Sequence, residues 1–312
     1  MLQIMKILTL FCAFGFSHIL HAREMFIADM EKGNLVHLNE KGEVIWKTKV
    51  KNIHDLQLLE NGNVLMQTDA WNVIEMTPNQ EQTVVWQYDA RSEPSNKNKR
   101  VEIHAFQRLA SGDTMIAESG SARIIEVDAK NVIKKQIALQ VKSPSTHSDT
   151  RMVRKLANEH YLVAHENDGC VREYDTEGKV VWEYAIPLFD QAEKGGHGPE
   201  GFGNRVFGVE RLKNGNTLIG AGNGHAVLEV TPEKKVVWEV HQKDLEGITL
   251  AWVCGVKRLA NGNTRFINCH AGAENPQVIE VDRDKKVVWT FHDFERFGNA
   301  LTNVVVLPAS SK

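Results

Sequence analysis

The chain has 312 residues, 42% of them hydrophobic and 25% charged, with a formal net charge of −3. Such a chain can bury one large core or build two domains. A charge so near zero gives no electrostatic reason to expect nucleic acid or an anionic membrane surface as partner.

The first 22 residues, "MLQIMKILTLFCAFGFSHILHA", place Lys6 before an apolar run from Ile7 to Phe16. This pattern predicts a signal peptide at 1–22, too short for a membrane span, and export to a periplasm or beyond. Leu20 occupies a position that prefers a small residue, so the cleavage point itself is less well specified. If Cys12 leaves with the signal, Cys170, Cys254 and Cys269 remain, too few for a disulfide framework.

From residue 23 onward the chain repeats itself. One element ends in tryptophan, as "EVIW" at Trp46, "TVVW" at Trp86 and "KVVW" at Trp182, Trp238 and Trp289, with a degenerate "NVIK" ending at Lys134. A second precedes each: "NLVHL", "NVIEM", "RIIEV", "CVREY", "AVLEV", "QVIEV". Two more flank an Asn-Gly-like turn, as in "HDLQLLENGNVLM", "FGVERLKNGNTLI" and "CGVKRLANGNTRF", a strong hairpin signal between alternating β-formers. Four strands per repeat of about 50 residues predict propeller blades. Six outer strands but only five complete inner hairpins leave "LTNVVVLP", residues 301–308, to pair with the start of the mature chain. The expected fold is therefore all-β: one six-bladed propeller domain over 23–312, its last blade closed by both termini. The repeated Trp, and the repeated Glu75, Glu126, Glu173, Glu229 and Glu280, read as structural positions.

Function is expected on the face that carries the irregular connections between blades and within them, because variable loops on a rigid scaffold carry sites. Seven residues before each inner turn lies a ring of positions that reads His54, His104, Arg151, Phe207, Cys254 and, by alignment, Thr302. A purely structural position would hold one residue type in most blades. Around the ring the sequence places Asp55, His147, Asp149, Arg205, Trp252, Asn299 and Asn303 before the inner strands. It places Asp69, Trp71, Glu118, His165, Glu166, Asn223, His225, Asn268 and His270 after the second strands. A His-rich pocket with Arg and carboxylates suits an anionic or polyhydroxylated ligand, a divalent metal, or proton transfer. The histidines lie on separate blades, so no local metal-ligand motif is present and the metal-ligand set stays unknown. Cys254 and Cys269 straddle the Asn261-Gly262 turn, and hairpin counting places them opposite one another. They form either a cross-strand disulfide or two buried thiols.

"IHDLQLLENGN", followed by a strand ending in "VVW", resembles the blades of bacterial arylsulfotransferases, periplasmic six-bladed propellers. The resemblance implies a histidine that transiently carries a sulfuryl group, with other His and Arg residues holding the sulfate. By position His54 and His104 take such roles, with His147 and Arg151 assisting. Only the first blade keeps the His-Asp start. The "VVW" strands are also similar to the PQQ-like repeats of quinoproteins and outer-membrane assembly propellers, but the chain has no calcium loop or quinone-stacking signature, and PQQ is not expected. The leading expectation is a small polar or anionic ligand, such as a carbohydrate or a sulfated or aryl compound, held at the channel mouth. Its rivals are a His-dependent transferase, lyase or hydrolase using the same pocket, and a scaffold for a protein partner.

Overall fold

The computed structural model describes residues 23–308; the signal peptide expected at 1–22 lies outside them. Twenty-four strands form six four-stranded antiparallel sheets. Blade 1 holds β4–β7 (Leu56–Leu58, Val64–Gln67, Asn72–Met76, Val84–Asp89), and blade 2 holds β8–β11 (Glu102–Arg108, Thr114–Ser119, Arg123–Val127, Ile133–Ala138). Blade 3 holds β12–β15 (Val153–Lys155, Tyr161–His165, Cys170–Tyr174, Val180–Ala185), and blade 4 holds β16–β19 (Gly208–Arg211, Thr217–Gly220, Val227–Val230, Val236–Val240). Blade 5 holds β20–β23 (Trp252–Arg258, Thr264–Cys269, Val278–Val281, Val287–Phe291). Blade 6 combines β24 (Leu301–Val306) with β1–β3 (Met25–Asp29, Asn34–Leu38, Val44–Lys49), so both ends of the chain share one sheet as expected. The innermost strands touch in succession, β4 to β8 to β12 to β16 to β20 to β24, and β24 returns to β4. The ring is closed.

Ring closure needs each blade to grip the next, and the repeated residues supply the grip. In five blades the third-strand glutamate is buried and pairs with a cation of the following blade. Glu75 meets Arg108 at 3.0 Å, Glu126 meets Lys155 at 2.8 Å, Glu173 meets Arg211 at 2.7 Å, Glu229 meets Arg258 at 2.8 Å and Glu280 meets Arg23 at 2.5 Å. In four of these the arginine also lies over the preceding blade's tryptophan: Arg108 on Trp86, Arg211 on Trp182, Arg258 on Trp238 and Arg23 on Trp289. Trp46, Trp182 and Trp238 donate their indole N–H to a carbonyl of the next blade, at 2.9 Å each. Removing one partner from a buried pair of this kind costs about 3–5 kcal/mol, because the other charge is left unpaired out of water.

In blade 2 the position opposite the glutamate is Lys135, which pairs with Glu126, one residue later than the "NVIK" alignment to Lys134. All six blades carry a bulge between the third and fourth strands, for example between Glu75 and Met76 and between Glu280 and Val281. A bulge twists the outer strand and blunts its unpaired edge. Where β16 and β20 run side by side in neighbouring blades, a Cβ on Gly208 would overlap the Cys254 carbonyl oxygen. Only glycine fits there. No helix among the described residues is long and apolar enough to cross a membrane.

Candidate functional site

The ring positions converge at one end of the channel. His54 and Arg151 immediately precede their inner strands, and Phe207 does the same in blade 4. His104 lies within β8 at a bulge between Ile103 and Ala105, and Cys254 lies within β20 at a bulge between Val253 and Val256. Bulges beside channels re-aim a side chain that a regular strand would direct elsewhere. The His54 and His104 rings meet edge-on with centroids 4.6 Å apart, and His147 from the loop before β12 stands 6.0 Å and 5.3 Å from them. Phe207 closes the far side, 6.3 Å from His54 and beneath the Arg151 guanidinium at 5.6 Å. Thr302 fastens the last ring position by donating to the Ile53 carbonyl at 2.6 Å. His54, His104 and Arg151 are buried, whereas 56% of the His147 side chain is exposed, so the cluster opens to solvent past His147.

Hydrogen bonds fix the protons. Arg151 can only donate, and its Nη1 lies 3.2 Å from His54 Nε2, so that nitrogen accepts and the His54 proton sits on Nδ1. That Nδ1 is buried and has no partner among the described residues. An orphaned buried donor is costly to leave unmade, which marks it as a place where a ligand atom fits. His104 Nδ1 lies 2.9 Å from the Thr150 carbonyl and must donate to it. Its Nε2 faces Glu102 Oε2 at 3.3 Å, and His147 Nδ1 approaches the same oxygen at 2.8 Å. Burial, followed by the neighbouring His104, pushes His54 well below the usual imidazole range. Burial, followed by Arg151, pushes His104 down to about 4. Burial pushes the Glu102 carboxyl up, but the hydrogen bond from His147 and the nearness of the two imidazoles outweigh it and hold the group well below the carboxylate range. Arg151 Nε donates to Glu166, which also has Arg205 at 3.6 Å, half exposed at the rim.

Of the residues singled out in the sequence, His54, His104, His147, Arg151, Arg205 and Phe207 are brought to this end together. Trp252 and His270 lie beside it under His197 of the 186–204 loop, whose ring is 4.7 Å from Trp252 and 5.3 Å from His270. The same loop is tied to blade 4, where His225 Nε2 faces the Gly201 carbonyl and Gln242 donates to the Pro199 carbonyl.

Other expected ligand-binding residues are occupied elsewhere. Asp69 caps its own turn by accepting from Trp71 N and Asn72 N, and the Trp71 ring lies under Arg91. Glu118 is enclosed by Tyr88, Asn96 and Arg123. His165 donates to the Asp149 carbonyl and accepts from the Tyr174 hydroxyl, so neither ring nitrogen is free. Both nitrogens of His225 face carbonyls, of Ala251 and Gly201. Asn223 serves Arg205 N, and Asn268 serves Ala251 N. Asp55 and Asn303 belong to a tie deeper in the channel, where Arg154 grips Asp55 at 2.7 and 2.9 Å and Asn303 donates to it at 2.8 Å.

Hairpin counting also misplaces the cysteines. The β20 bulge sets Trp252, not Cys254, opposite Cys269, and the two buried thiols are unbonded and joined by a hydrogen bond. That bond, with a second from His270, lowers Cys269 to about 6, while Cys269 in turn raises His270. The residue that sequence reasoning missed is Glu102. It stands two before His104 on one strand, and the alternation of strand side chains was the available signal.

The other end of the channel opens into a cavity of about 710 Å³ on the side of the inner turns. Arg154, Lys155, Arg211, Lys213, Lys257 and Arg265 line it. Four of these are already engaged by Asp55, Glu126, Glu173 and Glu210 respectively, in the order Arg154, Lys155, Arg211 and Lys257.

Residues 74–186 match the model of a family described as Arylsulfotransferase (ASST), about a third of the chain, reaching from β6 to just past β15. The segment contains Glu102, His104, His147 and Arg151 but not His54. A protein of unknown function from Bacteroides caccae superposes with a TM-score of 0.73 at 20% identity, covering 91% of this chain and 98% of its own. A streptogramin B lyase gives 0.59 at 12% identity, with 87% and 80% covered. Virginiamycin B lyase from Staphylococcus aureus gives 0.57 at 11%, with 86% and 80% covered. No curated protein sequence matches. The chain is thus a six-bladed β-propeller with arylsulfotransferase-like repeats, and the likeness to the solved structures is one of fold.

Proposed function

We propose that the histidine-lined end of the channel binds a small anionic ligand, with a sulfated or aryl compound as the first class to examine, in an exported protein. The observation that carries this reading is the buried, unpartnered Nδ1–H of His54, held in that tautomer by Arg151. An anionic oxygen there would gain a donor that nothing else satisfies, with Arg205 at the rim to steer it in. Export rests on the N-terminal sequence alone. The test is calorimetric titration with 4-nitrophenyl sulfate and with inorganic sulfate. Saturable binding that weakens at least about tenfold in His54→Ala supports the reading, since one charge-assisted hydrogen bond is worth about 1.5–3 kcal/mol. Wild-type protein that binds neither compound speaks against it and for a protein partner instead.

A second reading, His-dependent group transfer, is favoured by the arylsulfotransferase match, since Glu102, His104, His147 and Arg151 of the cluster fall inside the matched segment. It requires release of 4-nitrophenol from the aryl sulfate when a phenol acceptor is present. That release should vanish in His54→Ala while the fold persists. Binding without turnover would leave the first reading standing and remove the second.

A further inference from the structure

We propose that Glu102, His104 and His147 bind a divalent first-row transition-metal ion such as Zn²⁺. This inference goes beyond the anion site and stands without it.

The donor atoms already converge. One oxygen of Glu102, one ring nitrogen of His104 and one of His147 lie within 4.8 Å of one another. The two separations from Glu102 Oε2 are 3.3 Å to His104 Nε2 and 2.8 Å to His147 Nδ1. Ligands held about 2.0–2.2 Å from an ion in tetrahedral or octahedral geometry stand roughly 3.0–3.4 Å apart, close to these distances.

His104 supplies an independent indication. Its Nδ1 must donate to the Thr150 carbonyl, so in a neutral ring the bare Nε2 lone pair points at a carboxylate oxygen. Two lone pairs facing each other in a buried site repel, and only a cation between them turns the contact favourable. A metal ion needs the arrangement already present. An Nδ1–H bonded to a backbone carbonyl is the way proteins orient an Nε2 ligand and raise its basicity.

The remaining contacts agree. Glu102 Oε1 is held by Arg100 at 3.0 Å, which leaves Oε2 for the ion. His147 is exposed, giving an entry path and a ligand that can adjust. His54, edge-on to His104 with its unpartnered Nδ1–H, offers a hydrogen bond to water or an anion held nearby. Two imidazoles and one carboxylate suit transition metals, whereas Mg²⁺ and Ca²⁺ prefer sets made of oxygen alone.

The experiment is titration of ZnCl₂ into the untagged protein after dialysis against a chelator, with no sulfate or aryl compound present. We expect one equivalent to bind, with affinity lowered at least about 100-fold in His147→Ala and in Glu102→Gln and unchanged in His292→Ala. His147 is exposed, so its variant tests the site even if substitutions at buried His104 prevent folding. Wild-type protein without saturable Zn²⁺ binding overturns the proposal, as does a His147→Ala protein that binds as tightly as wild type. Because no anion is present, neither result depends on whether the sulfate reading holds.

Discussion

The two ends of the propeller channel use their charge differently. The end by the inner turns opens into a cavity of about 710 Å³ and has the greater number of cations, but Arg154, Lys155, Arg211 and Lys257 each hold a carboxylate, and two of those carboxylates belong to the clasps between blades. The opposite end has fewer charges, and there the polar groups do not cancel. His54 keeps a buried donor without a partner, His104 turns a lone pair toward Glu102, and Arg205 stands half in solvent. Cavity size and charge point to one end, whereas unmet hydrogen-bonding capacity points to the other. The second criterion is the better guide, because an interaction already satisfied inside the fold must be broken before a ligand can use it.

If the inner-turn end is structural, breaking a clasp there should give the largest loss of stability and leave ligand affinity alone. Glu229 holds Arg258 at 2.8 Å and Arg283 at 2.5 Å, and Glu229→Ala should cost about 3–5 kcal/mol in urea unfolding. A loss below about 1 kcal/mol would show that the clasps do not hold the ring.

Next in size is a pH effect from a histidine that looked like a site residue and is part of the frame. Burial pushes His165 down to about 4, and both its nitrogens are bonded in the neutral form. The unfolded chain protonates near 6.5, so between about pH 6.5 and 4 it binds a proton that the native state refuses. Stability therefore falls on acidification across that window, by about 3 kcal/mol from this group, and is flat with respect to it above. In His165→Gln, measured against pH, that part of the slope should disappear.

Smaller still is the change at the ligand end. His54→Ala should lower affinity for the anion by at least about tenfold, equal to about 1.4 kcal/mol. Melting curves should show the fold intact. Smallest of all is Lys213→Gln, an exposed cation of the inner-turn cavity, which should shift stability by no more than about 0.5 kcal/mol and leave anion affinity unchanged. A large loss of affinity in that variant would transfer the site to the other end.

How far the sequence carried depends on whether a feature is periodic. Asn-Gly turns, "VVW" strands and the orphan "LTNVVVLP" are local signals repeated around a ring, and they were enough for the blades and for the closure through β24. Counting back from the turns also found His54, His104, Arg151 and Phe207, because the inner strands keep a common start. The same counting failed where a bulge adds a residue. The extra residue in β20 moved Trp252 opposite Cys269. Residues closing the second strands were harder. Asp69, Glu118 and His165 are polar at blade ends for the sake of their own turns and neighbours, and nothing in their spacing separates that duty from ligand binding. The pairing of Glu102 with His147, 45 residues apart, depends on how one loop drapes over the ring.

The most direct test is a crystal structure of the protein grown with an aryl sulfate. The sulfate group should lie beside His54 Nδ1, within reach of Arg151 and Arg205, and the inner-turn cavity should hold no ligand. Aryl sulfate bound in the cavity among Arg211, Lys213 and Arg265, with the histidine end unchanged, would contradict that placement.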